Sequence, residues 1–208
     1  MTPTPARHPT PAPPGYPADY ERDLRLPDGR TVFVRPIVPA DRGPLAHAIR
    51  TADPDTVHRR FLGSPPRITP QLLTHLCTVD YRRRFALVAI DPATGAGIAI
   101  ARYEAGRENT AEVAVAVTPA WRRAGLATAL VEVLAEAALD RGIEAFSAYY
   151  LADNRPVTAL LDLVGSREQT SIHEGFAEAA VTLDRADVTA AVEHLTAGRP
   201  PDGDDRRG

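Results

Sequence analysis

Two short stretches combine residue types and spacing in a way that suits chemistry. Glu112 opens the run Ala-Glu-Val-Ala-Val-Ala-Val, residues 111–117. Side chains alternate along a strand, so Val113, Val115 and Val117 share one face and Glu112, Ala114 and Ala116 the other. A carboxylate flanked only by alanines has open space on its own face. The same pattern also fits a solvated glutamate at a strand start. The second stretch is Arg122-Arg123-Ala124-Gly125-Leu126-Ala127. It leads into a helical pattern in which Leu126, Leu130, Val133, Leu134, Ala137 and Ala138 form one stripe. A basic, glycine-containing turn at a helix N-terminus offers free N–H groups and a positive dipole end, which suits an anion. Gly125 has no Cβ, so a phosphate can approach the backbone closely. Arg122 and Arg123 add charge and fork geometry. A plain strand–helix loop with surface arginines is the alternative.

The elements that must hold these residues follow from periodicity and turn signals. Strands are expected over Thr31–Ile37, Phe85–Ile90, Gly97–Tyr103, Ala111–Val117 and Ala145–Leu151, with two more near Gln169–His173 and Ala177–Leu183. Helices are expected from Asp41 (Leu45, Ala46, Ile49), from Asp53-Pro54 (Val57, Phe61, Leu62) and from Thr69-Pro70 (Leu72, Leu73, Leu76, Cys77). Further helices fit Arg123–Arg141, Pro156–Val164 and Asp187–Thr196, the last capped by Asp187. This is an α/β order. The first 17 residues hold seven prolines and read as a loose tail, as does the stretch from Gly198 to Gly208. The division is therefore a disordered tail over 1–20, one domain over 21–186, and a terminal helix with a loose end over 187–208.

Composition narrows the function. The 208 residues carry a net charge of −3 and a pI of about 6.1, which argues against a nucleic-acid protein relying on basic charge. No apolar run is long enough to span a membrane, and the N-terminus lacks a signal-peptide layout. Cys77 is the only cysteine, which suits a reducing cytoplasm and excludes a cysteine-rich metal site. His75, His173 and Glu174 have no metal-ligand spacing, so no metal is expected. Arg82-Arg83-Arg84 is a short basic cluster that reads as solvated surface, or as a guide for phosphates or an acidic protein substrate. All 24 basic residues are arginine.

The Arg-x-x-Gly-x-Ala run, the amphipathic helix behind it, the strand Ala145–Leu151 and the turn Asp153-Asn154-Arg155-Pro156 together resemble the GNAT superfamily of acyl-CoA-dependent N-acetyltransferases. The resemblance covers residues 24 to 184 and is most specific over Ala111–Gly165. With Leu76–Tyr81 and the Ala-Glu-Val strand start, it is nearest to the bacterial protein lysine acetyltransferases. Those often carry an added cyclic-nucleotide or ligase-like domain. This chain has no room for one, so control by such a ligand is not expected.

The resemblance implies a central mixed, mostly antiparallel sheet flanked by helices, with acetyl-CoA as cosubstrate and an amine, a protein lysine above all, as acceptor. It implies direct attack of the amine on the thioester, with Glu112 as general base. Backbone groups near Val115 and Val117 would pair with the pantetheine arm, and a main-chain N–H there would polarise the thioester carbonyl. The backbone of Arg122, Arg123, Ala124, Gly125, Leu126, Ala127 and Thr128 would hold the pyrophosphate, with Asn154 touching CoA from the other side. Many members place an acidic tyrosine where this chain has Leu161. Tyr149 or Tyr150 is a substitute, with core packing as the alternative for both, and solvent can protonate the thiolate. A small-molecule amine acceptor and a non-catalytic acyl-CoA-binding module are the competing readings.

Without lysine, the chain offers such chemistry no side-chain amine. Incubation with acetyl-CoA is expected to add no acetyl group away from the N-terminus; peptide mass spectrometry showing one elsewhere contradicts this.

Overall fold

The computed structural model describes residues 7–8, 11–53, 67–173 and 175–197. In chain order the strands are β1 (Arg22–Arg25), β2 (Thr31–Pro36), β3 (Arg84–Ile90), β4 (Gly97–Ala105), β5 (Thr110–Val117), β6 (Ala145–Leu151), β7 (Gly165–His173) and β8 (Phe176–Leu183). The helices are α1 (Arg42–Thr51), α2 (Pro70–Cys77), α3 (Leu126–Leu139), α4 (Arg155–Leu161) and α5 (Arg185–Thr196). The strands form one sheet in the order β1–β2–β3–β4–β5–β6–β8–β7. Every neighbouring pair is antiparallel except β5 with β6. This is the mixed, mostly antiparallel sheet that the family resemblance implied, within the α/β order read from the sequence.

Both faces of the central strands are covered, which is why β3 reads Phe-Ala-Leu-Val-Ala-Ile without polar alternation. On one face α3 packs its leucines and valines against Phe85, Leu87, Ala101, Tyr103 and Phe146. The stripe read from the sequence is buried in full, but Ala129, Val131 and Ala135 are buried as well. The reason is α5, whose Val188, Val192 and Leu195 join the same core. α3 is therefore sandwiched rather than half-solvated. On the other face a smaller cluster of Phe33, Ile37, Cys77, Ala86, Val88 and Ile90 receives Leu45 of α1 and Leu76 of α2. Burial pushes the Cys77 thiol up to about 12, so it is inert, as its place on an apolar helix face led us to expect.

A buried ion pair ties β2 to α1. Arg35 Nη2 and Nη1 donate to Asp41 Oδ1 and Oδ2 at 2.7 and 2.8 Å, and Asp41 also accepts the Val38 N–H at 2.9 Å. Removing one partner of such a pair leaves the other charge buried, a cost of about 3–5 kcal/mol.

Several boundaries differ from the sequence reading for physical reasons. α3 starts at Leu126 rather than Arg123, because Arg123 and Gly125 take φ of +61° and +82°, outside helical space. α5 is capped by Asp184, which accepts the Asp187 N–H at 2.9 Å, and not by Asp187. β1 is too short to show a period and was not expected. The helix foreseen from Asp53-Pro54 lies, beyond Asp53, outside the described residues, as does the C-terminal stretch from 198. In the Pro-rich stretch read as a loose tail, Arg7 pairs with Asp23 at 2.9 Å, and the Tyr16 hydroxyl donates to Glu21 at 2.7 Å.

The sandwiching of α3 has an electrostatic cost. Burial lifts the Glu132 carboxyl from 4.5 to about 7. Between those values the folded protein keeps a proton that the unfolded chain has lost, so this group's contribution to stability falls as pH rises. Glu132→Gln is expected to open a melting-temperature advantage over wild type as pH rises from 4.5 to 7, and to hold it above. A gap constant with pH in paired thermal melts contradicts this.

Candidate active site

The site is built around a strand pair that parts. β5 and β6 are in register only from Thr110 to Glu112, opposite Ala145 to Ser147. From Val113 to Val117, β5 stays paired with β4 but has no strand partner on its other side among the described residues. β6 runs on to Leu151 paired only with β8. The two strands thus enclose a V with Glu112 at its apex. Backbone N–H and C=O groups of β5 point into the V, spaced for an extended chain bearing amides. Val113, Val115 and Val117 lean toward the α3 core, and Glu112, Ala114 and Ala116 face the other way, as the alternation required.

At the open end β5 leads through a short 3₁₀ turn, Pro119–Trp121, to the N-terminus of α3. The first intrahelical bond at this end runs from the Ala129 N–H to the Gly125 carbonyl. That leaves the N–H groups of Leu126, Ala127 and Thr128 aimed outward, and no side chain caps the helix. Arg122 and Arg123 are exposed, while Ala124 and Leu126 anchor the loop in the core. Arg122 also pairs with Asp53 at 3.0 Å. Gly125 serves a purpose the sequence did not reveal. Besides its left-handed φ, a Cβ there would lie 2.7 Å from Pro27 Cδ, in the turn between β1 and β2. Arg30 of that hairpin lies 4.1 Å over the Trp121 ring.

Across the V, Asn154 stands at the N-terminus of α4. It is only 8% exposed, yet its side chain makes no hydrogen bond with any described residue. Its amide atoms are not among the buried unpartnered ones, so they reach the solvent of the gap and are free to meet a ligand there.

On the Glu112 face, an open trough of about 820 Å³ runs beneath α2, lined by Leu72, His75, Glu104, Glu112, Ser147 and Glu178 among others. Glu112 is exposed and makes no hydrogen bond or ion pair among the described residues. It faces Glu104 across the antiparallel pair and Ser147 across the parallel one. Like charges directly opposite repel, and a cation between them relieves the repulsion. His75 Nε2 is 3.5 Å from Glu104 Oε2. Leu161, at the position where a tyrosine was sought, is buried. Tyr150 is buried with its hydroxyl 3.2 Å from Thr158 Oγ1, and Tyr149 is exposed and stacked on Phe176. Tyr150 thus has the core-packing role expected as its alternative to catalysis, whereas Tyr149 lies outside the core.

The sequence reading found Glu112, the basic turn and Asn154. It missed Glu104, Ser147 and Glu178, which become neighbours only through strand register. Glu104 was reachable by folding the hairpin between Gly97–Tyr103 and Ala111–Val117 back on itself.

A V-shaped gap in a mixed sheet, with a helix N-terminus at its mouth and a carboxylate at its apex, defines an acyltransferase architecture. Residues 56–165 match the Acetyltransferase (GNAT) family, and the chain belongs to it. An acetyltransferase of Pseudomonas aeruginosa is 33% identical over 149 residues, covering 69% of this chain and 80% of that protein. Acetyltransferase Pat of Mycolicibacterium smegmatis is 31% identical over 145 residues, 69% of this chain but 43% of that longer protein. The crystal structure of the GNAT domain of S. lividans PAT superposes with a TM-score of 0.72 at 29% identity, covering 81% of this chain and 99% of that one. The protein is thus an enzyme of a family that uses acetyl-CoA.

The residues present fit that cosubstrate: free N–H groups for its pyrophosphate, an unpaired strand edge for its pantetheine amides, and an Asn154 carboxamide without a partner among the described residues beside the gap. Asn154→Ala is expected to weaken CoA binding about tenfold in calorimetry while leaving the melting temperature of the free protein unchanged or raised. A fall in melting temperature with unchanged CoA affinity would make Asn154 a structural residue instead.

Proposed function

We propose that this protein transfers the acetyl group of acetyl-CoA to lysine side chains of other proteins in the cytoplasm, with Glu112 as general base. The observation that carries the reading is the position of Glu112. It is exposed on the floor of an open trough, at the apex of the gap that fits the cosubstrate. An open trough admits a side chain standing on a protein surface, where a small amine would be better served by a closed pocket.

At pH 7 only about 1 in 2,500 lysine amines with the reference pKa of about 10.4 is uncharged. Glu112, directly or through one water, takes the proton from the bound ammonium so that the nitrogen lone pair becomes available. Glu104 and Glu178 add negative charge along the trough and favour entry of a cation. The cosubstrate supplies an acetyl group activated as a thioester. Unpaired N–H groups of β5 near Val115 and Val117 orient its arm and stabilise charge on the carbonyl oxygen. The N–H groups of residues 126–128, with Arg122 and Arg123, hold the phosphates. Asn154 fixes the arm from the α4 side. The leaving thiolate takes its proton from solvent.

Labelled acetyl-CoA incubated with a host lysate tests the reading. Wild type is expected to label lysines of other proteins, and Glu112→Gln to lower turnover by about 10²–10⁴-fold with CoA affinity unchanged. Label moving only into small amines selects a small-molecule acceptor. Tight CoA binding without transfer selects a regulatory module.

A further inference from the structure

A second concavity, of about 500 Å³, lies at the start of β5, beside the acceptor trough. Four arginines line it, Arg82, Arg83, Arg107 and Arg141, against one carboxylate, Glu108. The two hollows share the wall made by Ala105, Gly106, Arg107 and Thr110. Thr110 is two residues from Glu112 along β5, about 7 Å at strand spacing. A trough holding three carboxylates against Arg102 and the shared Arg107 therefore adjoins a basic hollow within the reach of a short peptide.

The arginines divide into two kinds. Arg83 donates to the carbonyls of Ala105 and Gly106 at 3.2 and 3.0 Å, and Arg141 donates to the Tyr81 and Ala137 carbonyls at 2.5 and 2.8 Å. These two hold the walls together. Arg82 and Arg107 are exposed, and neither side chain has a hydrogen bond or ion pair among the described residues. Their backbones are nonetheless fixed. Asp80 accepts the N–H groups of Arg82 and Arg84 at 2.8 and 2.9 Å, and Tyr81, in the left-handed region, donates its hydroxyl to the Ile37 carbonyl. Arg107 precedes the tight turn at Glu108 and Asn109, both at positive φ. Two guanidinium groups are thus presented on rigid loops with their donors unspent.

We propose that this basic hollow docks acidic side chains of the acceptor protein, selecting lysines that have Asp or Glu roughly two to four residues away on an extended segment. The inference rests on the protein-lysine reading and deepens it. The acceptor lysine enters among Glu104, Glu112 and Glu178, while its acidic neighbour meets Arg82 and Arg107. The two ends of the surface carry opposite charge, which fixes the direction in which a segment lies.

The test uses two peptides with one lysine each, flanked on both sides by Glu and Asp or by Gln and Asn at those positions. Wild type is expected to favour the acidic peptide about tenfold in KM, with similar kcat, and to bind it more tightly in fluorescence anisotropy. The double substitution R82E/R107E, which leaves Arg83 and Arg141 in place, is expected to reverse the order. Equal binding of the two peptides by wild type, or a preference that the double variant retains, overturns the proposal. If neither peptide is acetylated but the acidic one binds wild type and not the double variant, the docking surface stands and the acceptor reading fails.

Discussion

The structure depends on a parallel strand pair that is only three residues long. β5 must stay in the sheet to its last residue, and β4 secures that with a partner for each of Ala111 to Val117. β6 must leave, and β8 draws it away with a partner for each of Ala145 to Leu151. Each strand is fully paired on its outer side, so the parting of the inner sides does not unravel the sheet. An unmet N–H or C=O in a protein interior costs about 1–3 kcal/mol. An open inner edge therefore persists only where solvent or an amide-bearing ligand can reach it. α3 closes one face of the gap, and its N-terminus stands at the mouth.

Charge is distributed to suit this frame. The deeply buried pair of Arg35 with Asp41 is satisfied from both sides and fastens the helical layer that roofs the trough. Elsewhere the sheet face carries carboxylates near the apex, and arginines gather at the two ends of β5. An anion at the mouth and a cation at the apex thus meet opposite fields within one strand's length. Glu132 is the exception, a half-buried carboxyl of α3 without a cationic partner among the described residues, and its raised pKa marks a site where packing prevailed over solvation.

Much of this was legible in the sequence because it is local. Glu112 among alanines, the basic turn ahead of an apolar stripe, and Asn154 before Pro156 each lie within one element and its adjoining loop. Periodicity likewise located all the strands but β1. What could not be read depends on register and on layers. Glu104 and Glu178 approach Glu112 only when four strands, β4, β5, β6 and β8, are aligned. The all-round burial of α3 requires knowing that α5 lies over it. The start of α3 depended on two positive φ values, and arginine at position 123 gives no hint of one. The cap of α5 went to Asp184 rather than Asp187 because two acids three residues apart both fit the pattern, and the chain uses the earlier one.

The contact between Pro27 and Gly125 joins parts of the chain almost a hundred residues apart. It seats the first hairpin against the loop before α3, and the Arg30 stack on Trp121 adds a second point of attachment. A loop held at two points surrenders its conformational entropy when the chain folds, not when a ligand arrives. On the proposed reading its N–H groups would meet phosphates already aligned, with little ordering left to offset the attraction. Affinity for the cosubstrate would then be set partly by a proline in the first hairpin.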